Sequence, residues 1–144
     1  DCDPIVMPYS DEGIHMLSSG IVAGSDFLDD RPETMERFLA ALTESVERTN
    51  EHLDEAVEAF YAYAPERTVD RGVLAEQWEI SMDLAFTDAT DGEPFGCMAE
   101  SDWASTIELM ETYGDVAEGR VAVEDIAANG FLPESCTDEL GERS

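Results

Sequence analysis

Apolar positions in this 144-residue chain fall at helical spacing through its middle and late parts and in short unbroken runs near its front. The clearest helical signal begins at Asp30-Arg31-Pro32-Glu33. An acceptor, a proline in the first turn and a glutamate three residues on together read as a helix N-terminus. Met35, Phe38, Leu39, Leu42 and Val46 then recur at i, i+3, i+4, i+7 and i+11, one apolar stripe. This predicts a helix from Asp30 to Thr49, ending near Asn50, as the longest or near-longest element. Leu53, Ala56, Val57, Phe60 and Ala64 predict a second helix, stopped by Pro65 because proline disfavours helical backbone in the residue before it. Asp70 is placed to cap a third, with Val73, Leu74, Gln77, Trp78, Ser81 and Leu84 at helical spacing. A fourth is predicted from a Ser101 cap through Trp103, Ile107 and Met110 to a stop at Gly114. Val121 to Ile126 is expected to form a short last helix.

Residues 1–29 have a different texture. Ile5-Val6-Met7 reads as a short buried strand closed by Pro8, and Tyr9-Ser10-Asp11-Glu12-Gly13 as a turn. Ile14 to Leu17 and Gly20 to Ala23 are further short apolar runs, the second a candidate strand leading into a helical turn at Ser25 to Leu28. Two or three strands make a poor sheet alone. Either the helices carry the core, or the strands complete a sheet whose other members lie elsewhere. Phe131-Leu132-Pro133 is an apolar anchor, and residues 134–144 read as a loose acidic tail. One unit over 1–133 is therefore expected, consistent with the length of a single domain.

Charge narrows the function classes. Seven arginines and no lysine stand against 35 Asp and Glu, a formal net charge of -28. Nucleic acid and anionic membrane surfaces need a basic face, so neither is an expected partner. A hydrophobic content of 43% keeps the chain in the globular class despite this charge. No apolar run reaches the 18 or so residues that span a bilayer, so direct membrane insertion is not expected. The chain opens on Asp1, as a processed or excised piece would.

Local motifs for chemistry are few. Cys2, Cys97 and Cys136 show no CxxC or zinc spacing. They read as three free thiols or as one disulfide with one thiol left over; the second alternative implies export. His15 and His52 are the only histidines, and they fall in no HExxH pattern. A GxSxG elbow is absent, and Gly20-Ile21-Val22-Ala23-Gly24 lacks the features of a phosphate loop. In Asp88-Ala89-Thr90-Asp91-Gly92-Glu93, Gly92 falls where a calcium loop needs its fifth-position ligand. No catalytic residue, metal or cofactor is expected.

The order of several segments resembles one family. Gly20-Ile21-Val22-Ala23, Asp26-Phe27-Leu28, Arg31-Pro32-Glu33 and Phe38-Leu39-Ala40-Ala41 are similar to exported solute-binding proteins of ABC importers. The nearest branch is related to yeast thiamine-pyrimidine synthesis proteins, with relatives that bind taurine, alkanesulfonates, nitrate or pyrimidine precursors. Tyr9 to Gly13 resembles that family's "tyr-ala-asp-x-gly" turn. Gly96-Cys97-Met98 with Asp102-Trp103 resembles its "gly-x-met…trp" approach to a late helix, and Asn129 to Pro133 its terminal "thr-asn-x-phe-leu-pro", with Ala128 where Thr would be expected.

The resemblance implies an α/β fold: a helix-dominated C-terminal part of a type II periplasmic-binding-protein lobe, with four or more helices and two or three short strands. It implies solute capture outside the cytoplasm, periplasmic or lipid-anchored at the cell surface. The implied partners are a small polar ligand and the importer's membrane subunits. The N-terminal lobe segment, with half the ligand cleft, would lie outside this chain. Tyr9, Asp11, Glu12 and Ser19 are the expected ligand-binding residues, with Gly13 and Ser18 beside them. Tyr9 offers a stacking face, Asp11 and Glu12 accept from an amino group, and Gly13 admits close backbone approach. Two other readings compete: an acidic helical interaction domain without a small-molecule ligand, and a thiamine-pyrimidine synthase-like enzyme. The enzyme would need a reactive histidine and a cysteine-rich loop, and the three cysteines here are far apart.

Overall fold

The computed structural model describes residues 5–14, 16–17 and 19–141. Its elements are five helices, α1 (Ser25–Asp30), α2 (Pro32–Glu51), α3 (Leu53–Tyr63), α4 (Arg71–Asp83) and α5 (Glu100–Tyr113). Two single-turn 3-10 helices, Tyr9–Glu12 and Val123–Asp125, complete the set. No strand occurs among the described residues, so the chain is all-α and the expected α/β architecture is corrected. Ile5-Val6-Met7 and Ile21-Val22 are coil, and all five side chains are exposed, Val22 to 94%. The physical reason is pairing. A strand is held by ladder hydrogen bonds to a neighbour, and no neighbouring strand lies among the described residues.

α2 is the longest helix, with 20 residues. Its start differs from expectation. Asp30 ends α1, and Arg31 occupies the N-cap of α2 without a side-chain cap bond. The stripe itself works as predicted on one side: Met35 and Val46 are buried, Leu39 and Leu42 half-buried. Phe38, on the same stripe, remains 50% exposed. α2 packs on α3, α3 on α4 and α1 on α2. Val57 is the buried residue of α3. Trp78 of α4 reaches back to donate from Nε1 to Asn50 Oδ1 at 2.8 Å.

Helix ends follow local chemistry. α3 stops at Tyr63, two residues before Pro65. Asp70 caps α4, its carboxylate accepting from Gly72 N at 2.8 Å and Val73 N at 3.4 Å. α5 starts one residue earlier than its expected cap, so Ser101 lies inside the helix. Gly114 follows its last turn in extended rather than left-handed conformation, with its N–H on Met110 O at 2.9 Å.

Residues 84–141 are organised differently. α5 packs against the Val123–Asp125 turn and approaches none of α1 to α4 at backbone level. Cys97 and Cys136 form a disulfide, 39 residues apart in sequence. Cys2 lies outside the described residues. Buried Asn129 is the hub beside that bridge. Its Oδ1 accepts from Met98 N at 3.1 Å, and its Nδ2 donates to Met98 O and Asp138 O at 2.8 Å each. Its backbone N–H donates to Leu140 O at 2.8 Å. Residues 136–140, expected as loose tail, are thus tied down, with Leu140 buried. Gly141 seals the strap at φ 61, where an added Cβ would lie 2.6 Å from Ala128 Cβ.

The core is thin. Its buried apolar side chains are Met35, Val46, Val57, Ala99, Ala127, Phe131 and Leu140. The accessible surface is 11220 Å², against about 7,300 Å² expected of a compact 15.8 kDa monomer. Much apolar surface is therefore left uncovered.

Candidate functional site

The expected site residues are placed without converging. Tyr9, Asp11 and Glu12 form the exposed 3-10 turn, Tyr9 at 76% exposure. Proline before the turn and Gly13 after it define its bounds. Gly13 takes the left-handed conformation at φ 76, and its N–H donates to Ser10 O at 3.0 Å. Ser19 is exposed coil. Ser18 and His15 lie outside the described residues.

Two shallow clefts lie on the surface of the described residues. Neither Tyr9, Asp11, Glu12 nor Ser19 lines either of them. Gly13 does. It meets one face of α5 in a cleft of about 350 Å³ lined also by Ser105, Glu108, Leu109, Thr112 and Tyr113. The chain is held there by Leu17, whose N–H donates to Thr106 Oγ1 at 3.1 Å. The lining residues of α5 sit at helical spacing on the face opposite Trp103, Ile107 and Met110. Sequence reasoning followed the apolar stripe of α5 and passed over this polar face. The signal was present in the i, i+3, i+4, i+7 recurrence of Ser105, Glu108, Leu109 and Thr112.

The other cleft, about 510 Å³, lies in the α3–α4 connection and includes Tyr61, Arg67, Asp70 and Arg71. Its charged groups and the Tyr61 hydroxyl are already engaged. Arg71 Nε donates to Glu58 Oε1 at 2.7 Å while its guanidinium lies 4.3 Å from the Tyr61 ring centroid. The Tyr61 hydroxyl donates to Val69 O. Asp70 is spent on the α4 cap, and Arg67 stands 4.0 Å from Glu66. The Arg71 guanidinium hydrogen-bonds Glu58 and holds its carboxyl below the usual range, and Glu58 in turn raises Arg71. This is structural wiring between α3 and α4.

The acidic loop 87–96 is likewise structural. Thr87 Oγ1 donates to Asp102 Oδ2 at 2.6 Å, and Thr87 N donates to buried Thr90 Oγ1 at 2.9 Å. Glu93 accepts from both the N–H and hydroxyl of Thr137, and those hydrogen bonds lower its carboxyl below the usual range. Among the described residues, no group of three His, Cys, Asp or Glu could hold a metal ion. His52 is half-exposed, 3.9 Å from the Glu51 carboxylate. No helix of the described residues is long and apolar enough to cross a membrane.

No family model, curated protein or solved structure matches this chain.

Proposed function

We propose that this chain serves solute capture, as a helical part of an extracytoplasmic receptor feeding an ABC importer, without catalysis of its own. The observation that carries the reading is the placement of Gly13, the residue that closes the Tyr9–Glu12 turn, beside the polar face of α5. It gives a one-sided cleft of about 350 Å³ with hydroxyls, a carboxylate and an aromatic ring at its wall. Ligand pockets combine such convergent polar groups with an apolar floor, here Leu109. The cleft is open, so further protein must close it before a solute is held firmly. The uncovered surface of the 5–22 segment supports that need: Ile5, Val6, Met7 and Val22 are each at least 78% exposed. The Cys97–Cys136 bridge supports an oxidising compartment, where disulfides form and persist. In this reading the importer's membrane subunits are the protein partners.

The test is calorimetry on the full-length receptor against a thiamine-pyrimidine precursor, taurine, an alkanesulfonate and nitrate. Saturable one-to-one binding of one solute is expected, with none measurable for residues 1–144 alone beyond millimolar contacts. Absence of binding across the panel, together with unchanged import when the gene is deleted, would overturn the reading. A second reading, an acidic helical interaction domain without a small-molecule ligand, is favoured by one observation: the described residues hold no strand and leave Phe38 on α2 and Val73 and Ile80 on α4 exposed. A pull-down that recovers a stoichiometric protein partner from a full-length receptor blind to every solute would select it.

A further inference from the structure

We infer that the α5 face meeting Gly13 is a recognition site for a small organic cation, an ammonium or amidinium on a flat ring, with Glu108 as counter-ion and Tyr113 as aromatic wall. The inference rests on the solute-capture reading and narrows its ligand class.

Three features of the cleft agree on the sign of the ligand. Among the described residues, no arginine lines it. Its one charged lining residue is Glu108. Asp11 and Glu12 immediately precede Gly13 in the chain, so the approach to the cleft is acidic as well. An anion would meet the like charge of Glu108, while a cation would be drawn in.

Glu108 also differs from the chain's working carboxylates. Glu58 is occupied by Arg71, Glu93 by Thr137, and Glu111 by the N–H of Gly119 at 2.7 Å. Among the described residues the Glu108 side chain makes no hydrogen bond or ion pair, so its carboxylate oxygens are available to a ligand. Ser105 donates its hydroxyl hydrogen to Ser101 O at 2.9 Å, which leaves that oxygen facing the cleft as an acceptor. Acceptors suit N–H donors, the groups an ammonium or amidinium carries.

The walls suit a ring. Tyr113 stands at the end of α5 with 84% of its surface exposed, so its ring is free for stacking or cation–π contact. Half-buried Leu109 forms an apolar floor. Gly13 lines the cleft at its open edge, where nothing lies within 4 Å of where its Cβ would stand. A volume of about 350 Å³ is at the small end of the about 300–1,000 Å³ typical of ligand sites.

The test is an NMR titration of this chain with benzamidinium, its anionic analogue benzoate and its neutral analogue benzamide. Benzamidinium is expected to shift the amides of Gly13, Leu109, Thr112 and Tyr113 saturably at millimolar concentration, while benzoate leaves them in place. Glu108→Gln should weaken benzamidinium at least fivefold and erase its preference over benzamide. Tyr113→Leu should weaken it about threefold, and Glu79→Gln on α4 should change nothing. The Glu79 control matters because general attraction to a -28 chain would respond equally to any one lost charge. Helical circular dichroism verifies that α5 persists in each variant. Shifts spread evenly over the acidic surface, equal response to benzoate, or indifference to Glu108→Gln would overturn the inference. Solute binding by the full-length receptor that ignores Glu108→Gln would sink this site while leaving solute capture standing. Cation binding at α5 with no solute bound by the full-length receptor would do the reverse.

Discussion

Residues 25–83 and residues 84–141 are built on different principles. The first region is ordered by helices whose apolar stripes meet in sequence order, α1 on α2, α2 on α3 and α3 on α4. Most of its side-chain hydrogen bonds are local, such as Thr43 Oγ1 to Leu39 O and Ser45 Oγ to Ala41 O. The second region has one helix of full length. It is ordered by bonds between distant positions: Cys97 to Cys136, Asn129 to Met98, Thr137 to Glu93, and Glu100 N to Asp138 Oδ2 at 2.8 Å. A thin core can thus be supplemented in two ways. Local helical order costs little loop entropy but leaves faces open. Long-range staples close large loops and fix irregular backbone where no regular element satisfies it.

The largest expected effect tests the staple. Replacing Cys97 and Cys136 together by serine should destabilise the second region by about 4 kcal/mol, the loop-entropy cost for roughly 40 residues. Hydrogen exchange should show protection lost around α5 and residues 127–141, with α2 and α3 unchanged. Equal loss in both regions would show that they fold as one unit and break the comparison.

Asn129→Ala comes next. It removes three side-chain bonds and leaves Met98 N, Met98 O and Asp138 O without those partners in a partly buried site. A cost of about 2 kcal/mol is expected, read by urea titration. Asn129→Asp should cost nearly as much, since a carboxylate keeps the acceptor for Met98 N but loses both donors.

These two regions were also unequally legible. The stripe from Met35 to Val46, the Pro65 stop and the Asp70 cap each rest on chemistry within one or two turns, and each can be read from neighbouring letters. Asn129 and the Cys97–Cys136 pairing cannot, because their partners are 9 to 39 residues away and no local pattern names them. The strands at Ile5 to Met7 and Gly20 to Ala23 failed for a related reason. Apolar β-branched residues record that a segment is to be covered, not by what, and pairing is a property of two segments. The candidate site divides in the same way. Gly13 was reached through its turn, whereas Glu108 and Tyr113 sit on a helix whose polar face looks like any solvated face until Gly13 is placed beside it.

A smaller effect belongs to the first region alone. Asp70→Ala removes the acceptor for Gly72 N and Val73 N and should cost about 1 kcal/mol. Hydrogen exchange is expected to rise in the first turn of α4 and not in α5. Asp70→Asn, which keeps an acceptor, should recover most of it.

The smallest expected effect separates the regions by their response to acid and salt. Glu58 in the first region and Glu93 in the second both have lowered carboxyl pKa values, from the hydrogen bond and charge of Arg71 in one case and hydrogen bonds from Thr137 in the other. A carboxyl lowered on folding stabilises the protein above its unfolded pKa, near 4.5, and loses that contribution as pH falls through the folded value. Acid also relieves the repulsion among the many other carboxylates, which works in the opposite direction. The informative quantity is therefore the difference in melting temperature between parent and variant at each pH. For Glu58→Gln and Glu93→Gln that difference should be a small destabilisation at pH 7 that shrinks toward pH 3. Molar salt then distinguishes the two. With the Debye length cut to about 3 Å, the exposed Glu58–Arg71 pair should contribute less, and Glu58→Gln should approach the parent. Thr137 carries no charge, so the Glu93→Gln difference should persist. If salt erased both differences equally, the tie across residues 93 and 137 would be general electrostatics rather than a directed hydrogen bond.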